Sequence, residues 1–146
     1  MSFKNILAAV DESPQAAAAL DLAIELARAV GASLTVVHAM DPSLIATAGA
    51  DGAGNVLEIE MDELQTAGKE LLETAAARVR AAGVDVTTIL RDGLPAATIL
   101  DTARHSDCDV IVLGTHGRHG VARVFLGSCA ESVLRDSPVP VLIKRS

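Results

Sequence analysis

Short runs of β-branched and aliphatic residues alternate along this chain with longer segments whose apolar residues recur every three or four positions. That alternation constrains the fold more than any other feature. Ile6 to Val10 is a continuous apolar run, as expected of a strand covered on both faces. Ser13-Pro14 then reads as a helix start, with serine at the N-cap and proline at the first helical position. Ala17, Leu20, Ile24, Ala27 and Val30 trace one helical face, and Gly31 stands where a C-terminal cap belongs. Leu34 to Ala39 is a second strand, and 41–54 reads as a loop. Leu57, Met61, Leu64, Leu71, Ala75, Val79 and Ala82 line one face of a long helix closed by Gly83. Val84 to Leu90 reads as a third strand, a helix opens at Pro95, and Val110 to Leu113 is a fourth strand. A short helix over Ser128 to Arg135 and a strand over Val139 to Ile143 complete the series. Strands and helices in this order imply an α/β domain with a mostly parallel sheet and helices on both faces.

The chain has 146 residues, half of them hydrophobic, which is enough for one domain with a real core and leaves little room for a second. Residues 1–146 are therefore expected to form a single unit. Nineteen acidic against twelve basic residues give a formal charge of −7. That charge argues against nucleic acid or an anionic membrane as the main partner. Phe3 and Phe125 are the only aromatic residues, so a stacking platform for single strands is also disfavoured. The apolar run near the N-terminus is too short for a signal peptide, and no stretch approaches a membrane span. Cys108 and Cys129 have neither metal-ligand spacing nor a disulfide framework. They read as reduced thiols, in keeping with a cytoplasmic protein.

In an open parallel sheet, ligands sit beyond the carboxyl ends of the strands, where the strand order reverses. Asp11 follows the first strand, Ala39-Met40-Asp41 the second, and Gly114-Thr115-His116-Gly117-Arg118-His119-Gly120 the fourth. Val110 to Ala130 contains no Asp or Glu, while His116, Arg118, His119 and Arg123 fall inside it. An acid-free basic window in an acidic chain points to a site for an anion. Gly114, Gly117, Gly120 and Gly127 permit positive φ and close approach of a ligand to the main chain. Successive amides in such loops form anion-binding nests, and the helix after Gly127-Ser128 offers free N–H groups. Ser128 and Glu131 also fit a capping box, which would occupy the serine with its own helix. No Gly-Lys-Ser/Thr follows, so this is not a Walker A loop, and it is not the GxGxxG fingerprint either. The residues alone support a phosphate-binding α/β domain.

Gly114-x2-Gly117-x9-Gly127-Ser128 resembles the nucleotide-binding signature of ATP-binding universal stress proteins. Ile6-Leu7-Ala8-Ala9-Val10-Asp11-Glu12-Ser13 is similar to that family's first strand and turn, and Val36-Val37-His38-Ala39 to its second strand end. Pro138-Val139-Pro140-Val141-Leu142-Ile143 resembles its closing strand, so the likeness covers essentially the whole chain. The resemblance implies a Rossmann-like open five-stranded parallel sheet in the order 3-2-1-4-5. It implies ATP, with ADP or AMP as variants, and Mg²⁺ or Mn²⁺ carried by the nucleotide. It places main chain around Ala39 at the adenine edge, and Asp11 near the ribose or the phosphate-bound cation. Gly114, Gly117, Gly127 and Ser128 would hold the phosphates, with Ala9, Val10 and the Cys129 amide nearby and His116 and Arg118 as extra donors. It also implies a homodimer through the last strand, at Val139, Val141 and Ile143.

Two prolines in that last strand place it at an edge of the sheet, and an apolar edge invites pairing with another chain. His38 reads as a hydrogen-bonded core histidine and His105 as a solvated one. No residue stands out as a base poised to activate water, which favours a nucleotide-dependent regulatory module with little hydrolysis over an enzyme. An ATP-using enzyme of the same broad fold would want a Ser-Gly-Gly type loop after the first strand, and Asp11-Glu12-Ser13-Pro14 does not supply it. A phosphoreceiver would need an acceptor aspartate at a middle strand end, for which Asp92 is the candidate.

Overall fold

The computed structural model describes residues 3–41, 54–115 and 127–145, with side chains from 60 onward in the second of these segments. Five strands and four helices appear among them: β1 Asn5–Ala9, α1 Pro14–Val30, β2 Ser33–Met40, α2 Gly54–Ala81, β3 Val86–Asp92, α3 Pro95–His105, β4 Val110–Gly114, α4 Ser128–Asp136 and β5 Val141–Lys144. The strands form one sheet in the order β3-β2-β1-β4-β5, and each pairing is parallel. The expected α/β class and strand order are both found.

The pleat explains why the central strands read as unbroken apolar runs. Successive side chains leave opposite faces of a strand. Ile6 and Ala8 of β1 join Leu34, Val36, Val110 and Val112 in a core beneath α1 and α2. Leu7 of β1 joins Val37, Ile111 and Leu113 in a second core beneath α3 and α4. With both faces covered, the stretch from Ile6 to Ala9 of β1 and the length of β4 carry no polar side chain.

Helix α1 forms where its signals lie. The Ser13 hydroxyl accepts the Ala16 N–H at 3.1 Å, and the next residue is Pro14 at the first helical position. Gly31 ends the helix at φ 71°, in the left-handed region, with its N–H on the Ala27 carbonyl. Helix α2 ends similarly at Gly83, whose φ is 77°. Two strand starts differ from expectation by two residues, whereas β1 and β2 each begin one residue earlier than expected. β3 begins at Val86, because Val84 is still tied to the last turn of α2 through its N–H on the Val79 carbonyl. β5 begins at Val141, because Ser137 folds its hydroxyl against Val139 in a turn that precedes the strand. The two prolines therefore lead into β5 rather than standing within it, although β5 is an edge strand as expected. Of the loop expected over 41–54, Gly54 already belongs to α2 and positions 42–53 lie outside the described residues. Among the described residues, no helix is long and apolar enough to cross a membrane.

Candidate functional site

The chain leaves β1 toward β2 on one side and reaches β4 on the other, so the order reverses between β1 and β4. A crevice opens there, at the carboxyl ends of the strands, with a volume of about 480 Å³. That size suits a small organic ligand. Ala9, Val10 and Asp11 form its floor with Gly114, and Ala39 and Asp41 continue it at the end of β2. Ser128 and Cys129, the first two residues of α4, close it from the opposite side.

The starts of α1, α3 and α4 all border the crevice, through Gln15, Pro95 and Ser128. Helix N-termini carry unsatisfied N–H groups and the positive end of the helix dipole. At α1 the Ser13 hydroxyl satisfies one of those groups. At α3 and α4 the cap residues, Leu94 and Gly127, supply no side-chain hydrogen bond. Two carboxylates, Asp11 and Asp41, also border the space, so its charge character is mixed rather than purely basic.

Asp11 has a structural task in addition to any ligand. Its Oδ1 accepts the Ser13 N–H at 2.7 Å and so shapes the turn into α1. Its charge also reaches across the crevice. Burial first, and the Asp11 carboxylate second, push the Cys129 thiol above its ordinary value. The end of β1 and the start of α4 thus share one electrostatic environment.

Gly114 corrects one expectation. Only Gly31, Gly83, Gly93 and Gly127 have positive φ among the described glycines, so Gly114 is not needed for an unusual backbone conformation. It is needed for space. A Cβ there would lie 2.5 Å from the Gln15 carbonyl oxygen and 2.8 Å from its carbonyl carbon. The glycine lets the first turn of α1 pack directly on the end of β4. Gly127 does meet the original expectation, with φ 96° and ψ 149°. The capping box does not form. Gly127 is the N-cap, and Glu131, whose N–H reaches the Gly127 carbonyl at 3.0 Å, falls one position too late to reach back. The Ser128 hydroxyl is consequently not committed to a cap, and the residue is exposed at the crevice.

The structure therefore brings Ala9, Val10, Asp11, Ala39, Gly114, Ser128 and Cys129 to one place, with Gly127 immediately before α4. His116, Gly117 and Arg118, together with His119, Gly120 and Arg123, lie outside the described residues. Val139, Val141 and Ile143 pack in part against the core beneath α3 and α4. Asp92 ends the edge strand β3, in register with Met40, and is not part of the crevice wall. His38 is buried and hydrogen-bonded, as read from the sequence, and His105 is exposed. Sequence reasoning missed the wall made by α3, where Leu94, Pro95, Ala96 and Ile99 face the space. The signal was present: Pro95 marks a helix start directly after β3, and every such start lies on the carboxyl edge of a parallel sheet.

A doubly wound α/β domain with a ligand-sized crevice at its switch point is the class that fold and site define. The chain belongs to the universal stress protein family, whose model matches residues 2–145. It is 34% identical over 147 aligned residues to universal stress protein YxiE of Bacillus subtilis, covering 98% of this chain and 99% of the relative. Among solved structures it resembles universal stress protein UspA from Lactobacillus plantarum, with a TM-score of 0.83, 29% identity and 99% of each chain covered. The universal stress protein from Archaeoglobus fulgidus, solved in complex with dAMP, is similar at a TM-score of 0.66 and 28% identity, with 98% of each chain covered.

Proposed function

We propose that this universal stress protein binds ATP, with ADP or AMP as alternatives, in the crevice between β1 and β4. Binding would bias a regulatory conformation or interface, with little hydrolysis. The observation that carries this reading is the convergence of Asp11, Ala39, Gly114 and the start of α4 on one ligand-sized space. The dAMP complex of the Archaeoglobus fulgidus relative supports an adenine nucleotide as the ligand class. The base would lie over the apolar end of β2 and α3, with its edge on the main chain of Ala39. The phosphates would lie toward Gly114 and the start of α4, where uncapped N–H groups favour an anion. Gly117, His116 and Arg118 would add donors from the segment after β4.

A divalent cation fits only as a passenger. Mg²⁺ takes six oxygen ligands and is usually held by one or two carboxylates plus phosphate oxygens and water. Asp11 can offer one carboxylate, so Mg²⁺ or Mn²⁺ would arrive with the nucleotide and neutralise phosphate charge near that residue. We further place the protein in the cytoplasm, and as a homodimer joined through β5.

Calorimetry with ATP and Mg²⁺ tests the reading. Gly127 stands at φ 96°, which a β-branched side chain does not tolerate. Gly127→Val should therefore misplace the start of α4 and weaken ATP by about tenfold or more. Equal affinity in the two proteins, or no binding by wild type, rules the assignment out.

A further inference from the structure

The hydrogen bonds between β1 and β2 have a parity that stops abruptly at the crevice. At one end the Ser33 N–H donates to the Lys4 carbonyl, and at the other the Val10 N–H donates to the Val37 carbonyl, each at 2.9 Å. The strands stay in register between these points, from Asn5 opposite Ser33 to Ala9 opposite Val37. Odd-numbered residues of β2 thus turn their main-chain groups toward β1. Even-numbered ones turn toward β3, where the Leu34 N–H donates to the Asp85 carbonyl and the Met40 carbonyl accepts from Gly93.

Bonds in a parallel ladder are evenly spaced, so the next rung would join the Ala39 N–H to the Val10 carbonyl. Among the described residues that rung is not made. The Val10 carbonyl is met instead by Nδ1 of His38, at 2.8 Å. A carbonyl oxygen only accepts, so Nδ1 carries the proton. The residue as a whole is only 6% exposed. It is pinned from outside by α2, which approaches closely because residue 68 is glycine. A Cβ on Gly68 would lie 3.1 Å from the ring Cδ2 and 2.8 Å from Leu90 Cδ1.

We propose that His38 is a positioning residue of the crevice: its ring takes the Val10 carbonyl out of the sheet ladder and leaves the Ala39 N–H and C=O turned toward the ligand. A donor and an acceptor held side by side match the edge of a purine base. The same diversion lets β1 part from β2 at Val10 and turn into the Asp11–Ser13 bend. The ligand half of this proposal rests on the nucleotide reading above, whereas the main-chain half stands on the sheet geometry.

Amide hydrogen exchange and nucleotide binding test the two halves separately. In the wild-type protein the Ala39 amide should exchange about tenfold or more faster than the Val37 amide, which has a ladder partner. His38→Leu removes the ring donor, so the rung should close and Ala39 should become protected. In His38→Asn the side-chain nitrogen stands as many bonds from Cα as Nδ1 does, so wild-type exchange should return. Affinity for ATP with Mg²⁺ should fall about tenfold in His38→Leu and recover to within about threefold of wild type in His38→Asn. Inorganic tripolyphosphate, which has no base edge, should bind all three proteins alike.

An Ala39 amide as protected as Val37 in wild type overturns the proposal, whether or not the variants fold. So does unchanged ATP affinity in a folded His38→Leu, or a parallel loss of tripolyphosphate, which would mean general damage to the crevice. Failure of wild type to bind any adenine nucleotide would overturn the nucleotide reading instead, and the exchange result would then decide the role of His38 alone.

Discussion

A methyl group on Gly114 would have to share space with the main chain of Gln15, and neither can give way. Flexible side chains can rotate aside, but here the obstacle is backbone in the first turn of α1. Gly114→Ala should therefore destabilise the fold by about 1–3 kcal/mol, the range typical of overpacking, as read by urea unfolding. An unchanged unfolding midpoint would show that α1 does not rest on β4 as described. The two thiols make a second prediction at this scale. Cys108 is buried, and burial with the neighbouring Asp109 charge raises its pKa to about 11. Burial and the Asp11 carboxylate also raise the pKa of Cys129, which borders the crevice. Raised thiol values mean little thiolate near neutral pH, so both should react slowly. Cys129 should label before Cys108, and saturating ATP should slow it further. Cys108 should label only on unfolding. Mass spectrometry of a thiol-labelled time course reads both sites at once. Labelling of Cys129 that ignores ATP would place the nucleotide elsewhere.

Elements are held at their ends by a few polar contacts whose loss can be anticipated. Replacing the Ser13 cap by alanine leaves the Ala16 N–H without its partner and should cost about 1 kcal/mol. At the opposite end of the sheet the Asp109 carboxylate accepts the N–H groups of Lys4 and Asn5, at 2.7 and 2.9 Å. Those bonds, Asn5 first, lower its pKa. A lowered folded value means its contribution is fully present above the ordinary carboxylate range and is lost as pH falls through the folded pKa. Asp109→Asn should consequently be less stable than wild type near neutral pH, with the gap closing in strong acid. Urea midpoints across that range check it, and a gap constant with pH would refute it. Much at this scale was legible. Ser13-Pro14 and Gly31 bracket α1 as read, and the covered strands showed as unbroken apolar runs. The late start of β5 was not legible, because Val139-Pro140 carries the same apolar character as the strand it precedes. The packing role of Gly114 was hidden for another reason: the clash that demands it comes from Gln15, 99 positions earlier in the chain. His38 could be read as buried, but not as an interruption of the ladder, since that requires the β1–β2 register.

At the scale of the whole molecule, β5 is an edge of the sheet among the described residues, and its main-chain parity says which residues could pair there. The Ile111 N–H donates to the Pro140 carbonyl and the Thr115 N–H to the Lys144 carbonyl. With Ile111 opposite Val141, the even-numbered residues of β5 face β4, and Val141 and Ile143 turn their N–H and C=O groups outward. Their side chains meanwhile help cover the molecule's own core, so a partner would engage them through main chain rather than side chain. Leu142, 38% exposed, would contribute the apolar contact. This separates association from folding. Proline at position 141 removes an outward-facing donor while leaving the bonds to β4 in place, and prolines are accepted on edge strands. Val141→Pro should therefore remain folded, keep its ATP affinity and run as a monomer in sedimentation velocity, where wild type is expected to run as a dimer. Leu142→Lys should weaken the dimer in the same way by placing charge against the partner's apolar edge. A wild-type monomer would remove the homodimer from the account, and a dimeric Val141→Pro would move the interface away from β5. In either case the crevice between β1 and β4 would be unaffected, because among the described residues none of its walls comes from that edge.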